Sequence, residues 1–223
     1  MNVDLRVVDD ADAAARACAE LLASASGHVA LTGGSTPQRA YELAAELRAD
    51  WGNVTFWWGD ERCVPPDHEW SNYGLAKRSL LDRVERVGGV QRVDGELGAD
   101  EAAARYDAAL RDVTLDLVLL GLGSDGHAAS LYPHAPGLRE RERRAVAAEA
   151  KLEPYVDRVT LTIPPFAAAP LLVWLVAGDG KAEAARRAFA EPPDEATPAS
   201  LIRSENGKTV AILDREAARL LSS

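Results

Sequence analysis

Short runs of apolar and β-branched residues alternate with Ala-rich amphipathic stretches along the whole chain. VDLRVV (3–8) precedes a helix-like stretch from Asp9 to Ala25, and HVALTGG (28–34) precedes TPQRAYELAAEL. NVTFWWGDE (53–61) leads through a Pro-containing loop into SNYGLAKRSLLDRV. DEAAARYDAALRDV comes before LDLVLLGLG (115–123); RVTLTIPP and LLVWLVAGDG run into KAEAARRAFA, and TVAIL ends against DREAARLL. This alternation predicts an α/β fold with a largely parallel sheet. The near-continuous hydrophobicity of VTFWW, LDLVLL and LLVWLVA predicts strands buried on both faces. No internal repeat is present. GLRERERRA (137–145) and AEPPDEATPAS (190–200) read as solvated connections and not as domain linkers, so one domain over residues 1–223 is expected.

Composition narrows the class. With 223 residues, 47% hydrophobic and 27% charged, the chain reads as an ordinary soluble globular protein. It has no apolar run long enough to span a bilayer, and its N-terminus is acidic and mixed, unlike a signal peptide. The two cysteines, Cys18 and Cys63, form no C-x-x-C pattern, which suits reduced thiols in the cytoplasm. A formal net charge of −10 argues against nucleic acid or an anionic membrane as partner. It leaves room for a small anion in a locally positive pocket.

Ligand sites in open parallel sheets lie beyond the carboxyl ends of the strands. Four strand-ending loops there carry suggestive residues. In LTGGSTP, Ser35 or Thr36 can cap the next helix and Pro37 suits its first position; the same start presents N–H groups and hydroxyls to an anion. In VAGDGKAE, Lys181 falls in a first helical turn, where a cation opposes the helix dipole unless it faces an anion; a surface lysine is the alternative. This loop is no P-loop, because Leu175 and Ala182 stand where glycine and Ser or Thr are required. WWGDERCVPP ends its strand with Asp60, Glu61 and Arg62: a guanidinium fork for phosphate or carboxylate, or a local ion pair.

The fourth loop, GLGSDGHAAS (121–130), matches the G-x-G-x-x-G spacing of a dinucleotide turn at Gly121, Gly123 and Gly126. That fingerprint requires a long helix and then a strand. Pro133 and Pro136 cut the helix short, and GLRERERRA is no buried strand. The loop is also no nucleophile elbow, since Leu122 occupies a required glycine position. The four histidines show no metal-ligand spacing. What remains is His127 as a general acid or base, its free imidazole titrating at about 6.5, or as a structural histidine. Asp125 is placed to orient it or to contact substrate.

TGGSTP, DERCVP with SNY downstream, GLGSDGHAASLYP, RVTLTIP and VAGDGKAE occur in one order across nearly the whole chain. In this the sequence resembles the 6-phosphogluconolactonase family, part of a superfamily shared with glucosamine-6-phosphate deaminases. The resemblance implies an open, Rossmann-like α/β sheet flanked by helices. It also implies hydrolysis of 6-phosphoglucono-δ-lactone in the oxidative pentose phosphate pathway, with a small sugar-phosphate lactone as partner, no metal and no organic cofactor. A monomer or small homo-oligomer is expected. By position, His127 would activate water and Asp125 would support it or the sugar. Gly34, Ser35, Thr36, Arg62 and Lys181 would hold the phosphate end, with Asn72 and Arg158 also at the site. Two residues depart from the family pattern: Ala128 stands where Thr is usual, and Tyr132 where Phe is usual. Related deaminases carry DEY in place of Asp60-Glu61-Arg62 and GHIAFNEP in place of GHAASLYP, so this chain sides with the lactonases. The alternatives are a deaminase or isomerase of amino-sugar phosphates and a non-catalytic sugar-phosphate-binding regulator.

Overall fold

In a computed structural model that describes residues 3–221, seven strands form one parallel sheet. They are β1 (Val3–Val8), β2 (Gly27–Leu31), β3 (Asp50–Trp58), β5 (Arg86–Val90), β6 (Leu117–Leu120), β9 (Leu171–Val176) and β10 (Lys208–Asp214), in the spatial order β1-β10-β9-β6-β2-β3-β5. The remaining strands, β4 (Asp60–Arg62), β7 (Ala145–Ala148) and β8 (Arg158–Leu161), form a separate antiparallel sheet in the order β4-β8-β7. The helices are α1 (Ala11–Ala23), α2 (Ser35–Leu47), α3 (Asn72–Ser79), α4 (Ala99–Leu110), α5 (Ile163–Ala168), α6 (Ala182–Phe189) and α7 (Arg215–Ala218).

The large sheet is apolar on both faces, as its strand sequences predict. Val29, Leu31, Phe56, Trp58, Leu119 and Ile212 pack toward α1, α2 and α3. Their neighbours Ala30, Trp57, Leu120, Trp174 and Ala211 pack toward α4, α6, α7 and the small sheet. The alternation is the two-residue period of a strand with each face covered. β1 lies at the edge, where Leu5 and Val7 stay exposed. The first and last strands of the chain pair in parallel, Val3 opposite Thr209.

Several sequence expectations change. NVTFWWGDE is two strands, not one: β3 stays in the large sheet, and after Gly59 the chain turns off as β4 in the small one. Gly59 bonds both sheets, donating to Leu31 O (2.9 Å) and accepting from Leu161 N (2.8 Å). RVTLTIPP likewise supplies β8 of the small sheet. β5, in the glycine-containing RVGGV, lacks the apolar run that marks the other strands, and sequence reading passes over it. The 190–200 stretch is not wholly solvated, because Thr197, Pro198, Ala199 and Ser200 are buried. Ala199 N donates to Gly126 O (3.0 Å), so this connection braces the His127 loop.

β2 and β6 are neighbours, yet the chain leaves β2 toward β3 and leaves β6 toward β9. The reversal opens a crevice at their carboxyl ends, the usual position of a ligand in such sheets.

Candidate active site

The crevice holds a cavity of about 260 Å³. Eight of the nine expected residues line it: Gly34, Ser35, Thr36, Arg62, Asn72, His127, Arg158 and Lys181. Asp125 stands behind His127. Asp60, which carries no role in the sequence beyond a possible local ion pair with Arg62, also lines the cavity.

The loop after β2 is anchored by Tyr41 on α2, whose hydroxyl donates to Thr32 O (2.6 Å) and accepts from Thr32 N (2.9 Å). The helix cap differs from the expected one. Gly34 occupies it at φ 112°, no side chain caps the helix, and Ser35, Thr36 and Pro37 are its first three residues. The first intrahelical bond runs from Gln38 N to Gly34 O (3.0 Å). The N–H groups of Ser35 and Thr36 therefore remain free of the helix ladder at the cavity wall, on the positive end of the dipole. Gly33 serves packing: a Cβ there would collide with the Asn72 side chain.

The question posed by GLGSDGH is answered by geometry. No α-helix follows Gly126; a bridge between Ala128 and Leu131 turns the chain back. His127 Nδ1 lies 2.6 Å from Asp125 Oδ1, which also accepts from His127 N (3.1 Å). Gly123 makes this pair possible, since a Cβ at that position would strike both His127 Nδ1 and Asp125 Oδ1. Burial works against ionisation of Asp125, but the bonds from the His127 ring and backbone N–H outweigh it and hold the carboxyl below its usual range. A carboxylate only accepts, so Nδ1 carries the hydrogen, and in the neutral ring the lone pair is on Nε2. Ala128 is fully buried, and its backbone bonds with Leu131 order the turn without the hydroxyl of a threonine.

The small sheet supplies the opposite wall. Arg62 and Arg158 are cross-strand partners, and Asp60 faces Thr160 two pairs away on the same face. Arg62 donates to Trp70 O (2.6 Å), and Arg158, only 4% exposed, donates to Leu152 O and Pro154 O (both 3.3 Å). Asp60 accepts from Ser130 Oγ (2.7 Å) and Asn72 Nδ2 (3.2 Å). Asn72 Nδ2 also donates to Asp60 O (2.8 Å), so Asn72 reaches the site through Asp60.

Strand alternation puts Glu61 on the other face. There it accepts from Arg62 N, Asn72 N and Tyr73 N (2.7 Å each) and from Ser71 Oγ (3.0 Å), closing the N-terminus of α3. Burial pushes its carboxyl above the usual range against the pull of those bonds. The local ion pair that is the alternative reading of Asp60-Glu61-Arg62 does not form among the described residues. Among the described residues, Arg62, Arg158 and Lys181 enter no ion pair with a carboxylate, and in the Lys181 loop Asp179 pairs with Arg219. Arg62, Arg158 and Lys181 against Asp60 thus leave a positive cavity in a protein of net charge −10. Burial lowers the Lys181 ammonium below its ordinary range, with Asp125 opposing the shift.

Among the described residues, no three His, Cys, Asp or Glu side chains gather as a metal site, and no helix is long and apolar enough to cross a membrane. Both cysteines are free; burial pushes Cys18 up to about 12 and Cys63 up to about 11.

Known proteins share this architecture. The 6-phosphogluconolactonase of Homo sapiens is 36% identical over 219 residues, covering 92% of this chain and 85% of that protein. That of Aggregatibacter actinomycetemcomitans is 34% identical over 204 residues, 87% of each chain. The solved 6-phosphogluconolactonase from Trypanosoma cruzi superposes with a TM-score of 0.88 at 28% identity, covering 100% of this chain and 99% of that one. A family model described as glucosamine-6-phosphate isomerases/6-phosphogluconolactonase matches residues 6–211. With the crevice, the histidine loop and this extent of similarity together, the chain belongs to the glucosamine-6-phosphate isomerase/6-phosphogluconolactonase family.

Proposed function

We propose that this chain hydrolyses 6-phospho-D-glucono-1,5-lactone to 6-phospho-D-gluconate, the second step of the oxidative pentose phosphate pathway, in the cytoplasm. The observation that carries the reading is the His127–Asp125 pair at the edge of a positive cavity. A pure binding protein needs no base.

His127 Nε2 takes a proton from water as the oxygen attacks the lactone carbonyl carbon. The tetrahedral intermediate collapses by breaking the bond from that carbon to the ring oxygen, which receives the proton from Nε2. Asp125 steadies the imidazolium formed between the two transfers. The phosphate end is held by the first turn of α2 at Gly34, Ser35 and Thr36, with Arg62 and Lys181; Arg158 and the Asn72–Asp60 pair support the sugar. Anchoring a remote dianion orients the carbonyl before reaction, so a covalent nucleophile is unnecessary.

The test follows disappearance of lactone generated in situ, with glucosamine 6-phosphate in parallel. Wild-type protein is expected to accelerate lactone loss, and His127→Ala to lose about 10²–10⁴-fold in kcat while remaining folded. A folded, fully active His127→Ala removes the base assignment. Ammonia release from the amino sugar without lactone hydrolysis replaces the reading with the deaminase one.

A further inference from the structure

Two guanidinium groups and one carboxylate share the cavity face of the small sheet without pairing. Arg62 and Arg158 stand opposite each other, and Asp60 precedes Arg62 on the same face of β4. Diagonal neighbours at that spacing lie within reach of long side chains, so charge alone favours an ion pair between Asp60 and an arginine. No such pair forms among the described residues. The bonds that Arg62 and Arg158 make go to the backbone carbonyls of Trp70, Leu152 and Pro154, and their Nε groups are enclosed and unbonded.

The carboxylate is held elsewhere. Ser130 Oγ donates to Asp60 Oδ2 at 2.7 Å, and Asn72 Nδ2 donates to Oδ1 at 3.2 Å. The shorter bond is the stronger restraint. Ser130 is 1% exposed and lies in the turn that follows His127. Its placement is itself built. Ala129 before it adopts φ 50°, left-handed backbone that a residue other than glycine keeps only when its surroundings hold it there. Leu131 N closes the turn on Ala128 O (2.9 Å), and Ser130 N donates to Thr160 Oγ1 (3.2 Å) on the residue paired with Asp60. These bonds aim a hydroxyl of the histidine turn at a carboxylate of the other wall.

We propose that Ser130 is a positioning residue for recognition: its hydroxyl holds the Asp60 carboxylate off Arg62 and Arg158, so that both guanidinium groups stay free for an anionic substrate. That this substrate is the sugar-phosphate lactone rests on the hydrolase reading; the restraint on Asp60 does not.

A double-mutant cycle tests it. Ser130→Ala removes one oxygen; the released carboxylate pairs with a guanidinium, and KM rises about tenfold while kcat changes by less than about threefold. In an Asp60→Asn background no competing charge remains, and the same Ser130→Ala step changes KM by less than about twofold. A merely structural serine would lower Tm and act on KM alike with or without the Asp60 charge. A wild-type KM in Ser130→Ala, or an equal rise in both backgrounds, overturns the proposal. The Nε–H signals of Arg62 and Arg158 in NMR spectra require no turnover. They move between wild type and Ser130→Ala, and coincide between Asp60→Asn and the double variant. If the wild type fails to open the lactone, the hydrolase reading falls by itself, and Nε–H signals unmoved by Ser130→Ala overturn the Ser130 proposal separately.

Discussion

The large sheet buries apolar side chains on both faces, so what it presents to the cavity is loop: the first turn of α2, the 121–127 turn and Lys181 before α6. The small sheet has one face on the core and one toward the cavity, and it delivers side chains directly from its strands, Asp60 and Arg62 from β4 and Arg158 from β8. The first arrangement suits backbone N–H donors and a histidine held by its own turn. The second suits long cationic side chains, because flanking strands fix their stems. The His127–Asp125 pair and the backbone donors thereby come from the large sheet and the guanidinium groups from the small one, and the physical distinction lies in how each sheet is buried.

Substitution on the small sheet tests this division most strongly after loss of His127 itself. Arg62→Ala or Arg158→Ala should raise KM about 10- to 100-fold, the scale of a charge-assisted hydrogen bond, with a much smaller change in kcat. Steady-state kinetics decide it: if kcat collapses while KM holds, the guanidinium groups of the small sheet serve the chemistry and not the binding. Lysine at position 62 should restore little, since it lacks the planar fork.

Glu61 sharpens the comparison within one strand. Glu61→Ala leaves three N–H groups, one buried and two part-buried, without their acceptor and should cost about 3 kcal/mol, lowering Tm by roughly 10 °C. KM in the remaining folded protein should move far less than for Arg62→Ala. Calorimetric unfolding beside kinetics at low temperature reads both, and an unchanged Tm would return Glu61 to the cavity side of β4.

The smallest effect concerns pH at the large-sheet loops. The Lys181 ammonium is lowered, so it loses its proton at a lower pH than a free lysine, and phosphate-end affinity should weaken on the alkaline side before the ordinary lysine range. An anion bound there favours the charged form, so binding in that window takes up a proton. Titration calorimetry in buffers of different ionisation enthalpy detects the uptake, and Lys181→Arg should extend binding to higher pH. Equal loss in both proteins would assign the alkaline limb elsewhere. Asp125 is lowered as well, so it stays ionised further into acid than an ordinary carboxylate and should not set the acid limb.

Local physics alone determined six of the seven strands of the large sheet, all but β5, with the helices between them and the loops that carry Ser35, His127 and Lys181. A strand buried on both faces needs an uninterrupted apolar run, and the glycine-rich exits are visible wherever such runs stop. The order of motifs also placed this chain among its relatives. Tertiary structure decided the rest. It split NVTFWWGDE between two sheets, made Asp60 and Arg62 site residues and Glu61 a helix cap, and buried Thr197 to Ser200 beneath Gly126. Three-residue β4 is too short to show its two-residue period until β8 pairs with it from nearly a hundred residues away. The same holds for Gly33 and Gly123: glycine in sequence reads as flexibility, and only the folded chain shows that the room is taken by Asn72 and by the His127–Asp125 pair.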